Sequence, residues 1–261
     1  MIKTQHIFNL DFVAADNFDE IIQTIIEQPI DDTHFPVVIT PNVDLTVHLN
    51  NNLPILYRFQ KARFILPDGA PIIWFSKLLG KPLKKRLAGS DLFPLIWKAI
   101  IAYKKSVFLI VPSEEVKAGL AKEYAAAQFY IPPFFDAIEK DVETEAQKIL
   151  PLLLQHQPDY VFLGLRYPKQ EMLIINLHDK LKNAESFTRD SANKIKMPLF
   201  FNLGASYEFH TGLKSRAPIW MQKIGMEWLH RFLSEPKRTF KRYFYDDLYI
   251  FVLFVKEIFK K

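Results

Sequence analysis

The chain contains no cysteine, which excludes disulfides and thiolate-held metal and is compatible with a reducing compartment. Glycine is scarce, at eight residues in 261. None of them builds the Gly-x-Gly-x-x-Gly turn that a dinucleotide-binding oxidoreductase needs after a strand, which counts against that class. Long apolar runs are missing too. The longest, Leu248 to Val255, falls well short of the roughly 20 residues that cross a bilayer as a helix. The start, Met1 to His6, lacks the apolar core of a secretion signal, so the expectation is a protein kept in the cytoplasm. Neither a low-complexity tract nor an internal repeat is visible.

What is present is enough apolar material for a substantial core. Hydrophobic residues make up 49% of the chain and charged residues 24%, a globular balance. The net charge of +5 is unevenly placed. Between Lys214 and Arg242 stand Lys214, Arg216, Lys223, Arg231, Lys237, Arg238, Lys241 and Arg242, against only Glu227 and Glu235. The positive character therefore belongs to one C-terminal stretch, a pattern expected of a surface that meets phosphates.

Strand and helix patterns alternate along most of the chain. Ile7 to Val13 reads as a first strand or hairpin, and a helix is expected over Phe18 to Ile26. Further strands are expected at Phe35–Ile39, Phe64–Leu66, Val107–Val111, Phe129–Ile131, Tyr160–Leu165 and Leu199–Leu203. Helices are expected over 53–61, 70–79, 92–102 (capped by Ser90 or Asp91), 114–127, 138–155 and 170–181, with a surface loop over 183–196. This order predicts an α/β fold: a Rossmann-like, mostly parallel sheet with helices on both faces. Thr40, Asn42, Asp68, the turn from Gly164 to Gln170, and Gly204 all fall just after a strand, so a parallel sheet places them along one edge, where ligands bind. Asp68 is equally placed to cap the helix that follows it.

After about residue 204 the alternation stops. Apolar residues recur at helical spacing through Trp220, Ile224, Trp228 and Phe232. A basic and aromatic cluster follows Pro236, and a last helical pattern runs from Phe244 to Phe259. The expected division is a catalytic core over 1–204 and a helical appendage over 205–261. Basic and aromatic residues mixed on amphipathic helices fit a membrane interface, and they equally fit packing on the core with the cations in water.

Several segments, taken together and in order, resemble the WecG/TagA/CpsF glycosyltransferases, glycosyltransferase family 26. They are Thr40-Pro41-Asn42-Val43-Asp44, Pro67-Asp68-Gly69, Arg86 to Leu92, Pro168-Lys169-Gln170-Glu171, Gly204-Ala205, Arg216-Ala217-Pro218, Glu227 to Arg231 and Glu235 to Arg238, and the resemblance spans roughly 35–242. It implies an inverting, metal-independent transferase that moves a sugar, N-acetylmannosamine or a related hexose, from a UDP-sugar to a polyprenyl-diphosphate-linked sugar. The product would serve cell-surface polysaccharide or teichoic acid synthesis at the inner face of the cytoplasmic membrane. Under the resemblance Asp68 is the catalytic base. Thr40, Asn42, Gln170, Gly164 and Gly204 serve the donor, and Arg86, Arg216, Arg231 and Arg238 serve the diphosphates and the acceptor. No cofactor and no nucleic acid are implied.

The chemistry of these residues agrees. Displacing UDP with inversion needs a base for the acceptor hydroxyl and donors for the departing diphosphate, and a planar guanidinium can clamp such an anion. No Asp-x-Asp, a common metal-holding pair in sugar transferases, occurs anywhere in the chain. Two departures from the family pattern stand out: Val111-Pro112-Ser113-Glu114 replaces a glycine pair, and Leu165-Arg166-Tyr167 lengthens the turn before Gln170. The competing reading is a basic nucleic-acid-binding or nucleotide-binding protein without transferase activity, motivated by the charged C-terminal stretch.

Overall fold

The computed structural model describes residues 2–30, 32–187 and 195–260. Strands β1 (Thr4–Ile7), β2 (Leu10–Val13), β3 (Phe35–Ile39), β4 (Ala62–Ile65), β5 (Val107–Ile110), β6 (Gln128–Tyr130), β7 (Tyr160–Leu163) and β8 (Leu199–Asn202) form one sheet, in the order β1-β2-β4-β3-β8-β7-β5-β6. The β1–β2 hairpin at one edge is antiparallel and the remaining pairings are parallel. The expected mostly parallel α/β sheet is therefore what the chain forms.

The central strands are apolar at nearly every position because both of their faces are covered. Successive side chains point to opposite sides, so Val37, Ile39, Phe108, Ile110, Val161, Leu163 and Phe200 join one core, while Val38, Val107, Leu109, Tyr160, Phe162, Leu199 and Phe201 join the other. The first core is closed by α2 (Val43–Asn51), α3 (Leu53–Phe59), α4 (Ala70–Leu78), α7 (Glu139–His156) and α8 (Lys169–Phe187). The second is closed by α1 (Asp19–Glu27), α5 (Gly89–Ala102), α6 (Glu114–Glu123) and the short α9 (Ser206–His210).

The C-terminal segment continues through α10 (Ile219–Lys223), α11 (Glu227–Ser234), α12 (Pro236–Lys241), a π-helical turn (Arg242–Asp246) and α13 (Tyr249–Phe259). Here the structure departs from the periodic reading of 216–233 as one helix. Gly225 takes a left-handed φ of 76° and breaks it. A Cβ at Gly225 would stand 2.6 Å from Ala70 Cβ, so the break also lets the chain press onto α4. The last helix starts at Tyr249, later than the apolar pattern from Phe244 implies.

Other differences have local causes. Helix α2 was hidden by its mixed polarity; Asn42 caps it, its Oδ1 accepting from Leu45 N at 2.9 Å. Asn52 ends α2 and starts α3, its Oδ1 accepting from Ile55 N. Helix α5 begins at Gly89 with Ala88 as N-cap, so neither Ser90 nor Asp91 caps it. Helix α6 stops at Glu123, where the Tyr124 hydroxyl turns to donate to the Lys105 carbonyl. Helix α8 continues to Phe187 through part of the expected 183–196 loop, and residues 188–194 of that loop lie outside the described residues.

Helix α13 is anchored in the first core by Ile250 and Leu253, while Phe251, Val252, Val255, Ile258 and Phe259 on the same helix are exposed. Its buried Glu257 pairs with Lys81 at 2.8 Å. Leu253→Ala is expected to lower unfolding free energy by about 2–5 kcal/mol. Val252→Ala is expected to stay within roughly 0.5 kcal/mol. Urea melts of the two variants check this difference.

Candidate functional site

The site begins with backbone hydrogen bonds that carry three loops past the same strand ends. Leu66 N donates to the Ile39 carbonyl at 2.8 Å and Asp68 N to the Pro41 carbonyl at 3.0 Å, so the exits of β3 and β4 run side by side. Leu87 N then donates to the Pro67 carbonyl at 2.7 Å. Leu83, Leu87 and Ala88 are fully buried around it and fix the basic link 80–88 against the exit of β4. Arg86, held within this link, is thereby brought to Asp68.

Asp68 does not cap α4. The N-cap is Gly69, without a side-chain cap bond. With φ at 126° and ψ at 135°, Gly69 occupies a region that only glycine enters readily. The Asp68 carboxylate instead meets Arg86, with Oδ1 3.2 Å from Nε. Burial pushes the Asp68 carboxyl up from the ordinary carboxylate range; Arg86 and Arg231 oppose that rise without cancelling it, and Glu227 adds to it.

Glu227, which sequence reasoning missed as a site residue, collects the arginines. Its Oε2 lies 2.7 Å from Arg86 Nη2, and its Oε1 lies 3.3 Å from Arg231 Nη2 and 4.0 Å from Arg216 Nε. Its side chain is 11% exposed. Arg216 Nη1 also donates to Asp91 Oδ1 at 2.6 Å, while its Nε and Nη2 are buried without a hydrogen-bond partner among the described residues. A signal for Glu227 existed: it is one of only two acids in a basic stretch, four residues before Arg231 on one helix.

The remaining predicted residues fall into neighbouring groups. Thr40 packs against Gly89, whose missing Cβ would stand 2.8 Å from Thr40 Oγ1, and Asn42 packs against Gly69. Gly164 lies under the Tyr207 ring and beside the carbonyl of Gly204, where φ is 52°. Gln170 is not joined to Asp68. Its Nε2 donates to Glu171 Oε1 at 3.1 Å, as does Asn202 Nδ2 at 2.8 Å, and Gln170 Oε1 is buried without a hydrogen-bond partner among the described residues. Burial raises the Glu171 carboxyl above its usual range. The side chain of Arg238 lies outside the described residues.

Both departures from the family pattern have structural roles. Ser113 caps α6, and Tyr167 stacks on His48 at 4.5 Å between ring centroids. A second polar junction ties the C-terminal segment to α2: Arg242 lies 3.9 Å from Asp44, and Asp247 is pushed up to about 7 by burial and by Asp44.

Beside Arg86 opens a cleft of about 500 Å³. It is lined by Lys84, Lys85 and Arg86, by the acid Asp91, and by the apolar Trp74, Ile219 and Ile224. Such a cleft can take an anionic head joined to a hydrocarbon chain. Among the described residues, no three His, Asp or Glu side chains are grouped to hold a metal ion.

Comparison with known proteins points the same way. A sequence model described as "Glycosyl transferase WecG/TagA/CpsF family" matches residues 5–261, further at both ends than the motifs alone reach. A Bacillus spizizenii protein named N-acetylglucosaminyldiphosphoundecaprenol N-acetyl-beta-D-mannosaminyltransferase is 28% identical over 91% of this chain and 86% of its own length. Proteins of the same name from Bacillus subtilis (26% identical, 91% and 86% covered) and Staphylococcus aureus MRSA252 (27% identical, 77% and 73% covered) are also similar.

Because the folded state holds the Asp68 proton more tightly than an unfolded chain does, ionising Asp68 weakens the fold as pH rises through its folded pKa. Asp68→Asn is therefore expected to be more stable than the parent at pH 8, with the gain shrinking in acid. Urea unfolding of both proteins at pH 8 and pH 4.5 measures it.

Proposed function

Since the chain belongs to the glycosyl transferase WecG/TagA/CpsF family, we propose that it is an inverting transferase acting on a lipid-linked acceptor. It moves N-acetylmannosamine or a related hexose from UDP to a polyprenyl-diphosphate-linked sugar for a cell-surface polymer. The relatives' names carry the acceptor class and a β-linked product. From an α-linked nucleotide sugar, a β product means inversion.

The observation that carries this reading is the half-buried Asp68 carboxylate set against Arg86, beside a cleft lined by both cationic and apolar side chains. In the proposed reaction the acceptor hydroxyl gives its proton to Asp68 while its oxygen attacks the anomeric carbon. The bond from that carbon to the UDP oxygen breaks, and its electron pair leaves with the diphosphate. A carboxyl whose proton affinity is raised is a stronger base than an exposed one. Guanidiniums of Arg86, Arg216 and Arg231 meet the phosphate charge, in place of a metal ion. Thr40, Asn42 and Gln170 read the donor, Gly164 and Gly204 allow close backbone approach to it, and Arg238 joins the acceptor-facing cations.

The same reading gives the exposed apolar residues a role. Ile219, Trp220, Ile224, Trp228, Phe240, Phe244, Phe251, Val255 and Phe259 stand in the open on the segment that follows the sheet, more than a water-facing surface ordinarily carries. No helix among the described residues is long and apolar enough to cross a membrane. Residues 205–261 then serve as an appendage that rests on the inner face of the cytoplasmic membrane, where the acceptor resides.

The nucleic-acid alternative is not supported. The family and the named relatives are sugar transferases.

Asp68→Asn is expected to bind UDP within about twofold of the parent yet to lose roughly 10²–10⁴-fold in kcat. A screen of UDP-sugars against polyprenyl-diphosphate-sugar acceptors supplies the assay, and near-parental turnover in the variant defeats the assignment. In the same assay, replacing Trp220 and Phe251 together with Ser is expected to weaken binding to anionic vesicles at least tenfold while leaving UDP binding unchanged.

A further inference from the structure

Two carboxylates divide Arg86 between them. Asp68, from the sheet edge, meets Nε at 3.2 Å, whereas Glu227, from the first turn of α11, meets Nη2 at the shorter distance of 2.7 Å. A guanidinium given wholly to one carboxylate forms two parallel bonds and strongly favours its ionised form, which weakens it as a base. Here the Asp68 contact is a single hydrogen bond, and the Glu227 contact is a closer ion pair without hydrogen-bond geometry. Glu227 is held in turn by Arg231 at 3.3 Å and Arg216 at 4.0 Å, and Arg216 is held by Asp91.

We propose that Glu227 is a positioning residue: it keeps Arg86 from pairing fully with Asp68, and so preserves the capacity of Asp68 to accept the acceptor's proton. The inference rests on the reading of Asp68 as the base. The charged groups that face Asp68 are Arg86 from the basic link and Arg231 and Glu227 from α11; those that face Glu227 are Arg86, Arg216 and Arg231. Of the groups facing Asp68, Glu227 alone adds to its proton affinity, and Arg86 and Arg231 reduce it. The C-terminal segment thereby supplies the charge that tunes a base located on the sheet.

The test uses the full chain carrying Glu227→Gln, which keeps the shape of the side chain and removes its charge. The acid limb of the kcat/KM profile is expected to move to lower pH by about one unit, because an opposing charge close by shifts a carboxylate by that order. The plateau kcat is expected to fall about tenfold. Glu227→Asp, which keeps the charge but withdraws it by one methylene, is expected to move the limb the same way by less. A role limited to holding α11 in place leaves the limb where it is. An unmoved or upward-shifted limb in the Gln variant overturns the proposal; if that variant does not fold, an unmoved limb in the Asp variant does so. Inactive Asp68→Asn with an unmoved Glu227 limb defeats this inference alone, whereas active Asp68→Asn defeats the base assignment itself.

Discussion

The shared guanidinium of Arg86 is the contact on which the site depends, because it joins two parts of the chain that meet nowhere else in sequence. Asp68 and Arg86 come from neighbouring strand and loop exits, and Glu227 arrives from more than a hundred residues later. Half-buried charges of this kind are tolerable only when paired; removing one partner strands the others in a poorly solvated place. The sheet edge and the C-terminal segment are consequently interdependent. The turn at Gly225 pressing on α4 and the anchoring of α13 by Ile250 and Leu253 hold that segment where its carboxylate can reach.

The electrostatic character of the region follows from this pairing. Arg86, Arg216 and Arg231 are balanced by Asp68, Asp91 and Glu227, so a stretch that looks strongly basic in sequence contributes a neutral cluster at its inner end. At the cleft, Lys84 is paired with Asp16 at 2.7 Å, so cationic attraction for a phosphate-bearing ligand is left chiefly to Lys85. On the proposed reading, a diphosphate would bind by exchange of partners within a prepaired network, which disfavours loosely matched anions.

Much of the architecture was legible because the strands are short, β-branched or aromatic, and separated by helices of ordinary length. The strand-end positions of Thr40, Asn42, Asp68, Gly164 and Gly204 followed from that alternation. The failures were local and had identifiable causes. Helix α2 carries polar residues on most of its surface and gave no periodic signal. The long helix read into 216–233 ignored what one left-handed glycine can do. Asp68 as a helix cap was chemically reasonable, but a neighbouring glycine took the N-cap position and freed the carboxylate for Arg86. Gln170 follows β7 at the sheet edge, yet its amide donates to Glu171, which also accepts from Asn202, a pairing with no periodic or compositional trace.

Sequence alone determined the α/β class, the edge of the sheet that bears the polar residues, and the family. Each of these is written in local order or in short ordered motifs. Tertiary structure alone decided which charges meet. Ion pairing depends on distances of a few ångströms between segments far apart in the chain, and only the folded path shows that Glu227 and Asp68 both contact Arg86. It also decided which of the apolar residues on α13 are core and which stand in the open, because a helix apolar all round carries no mark of the face it will bury.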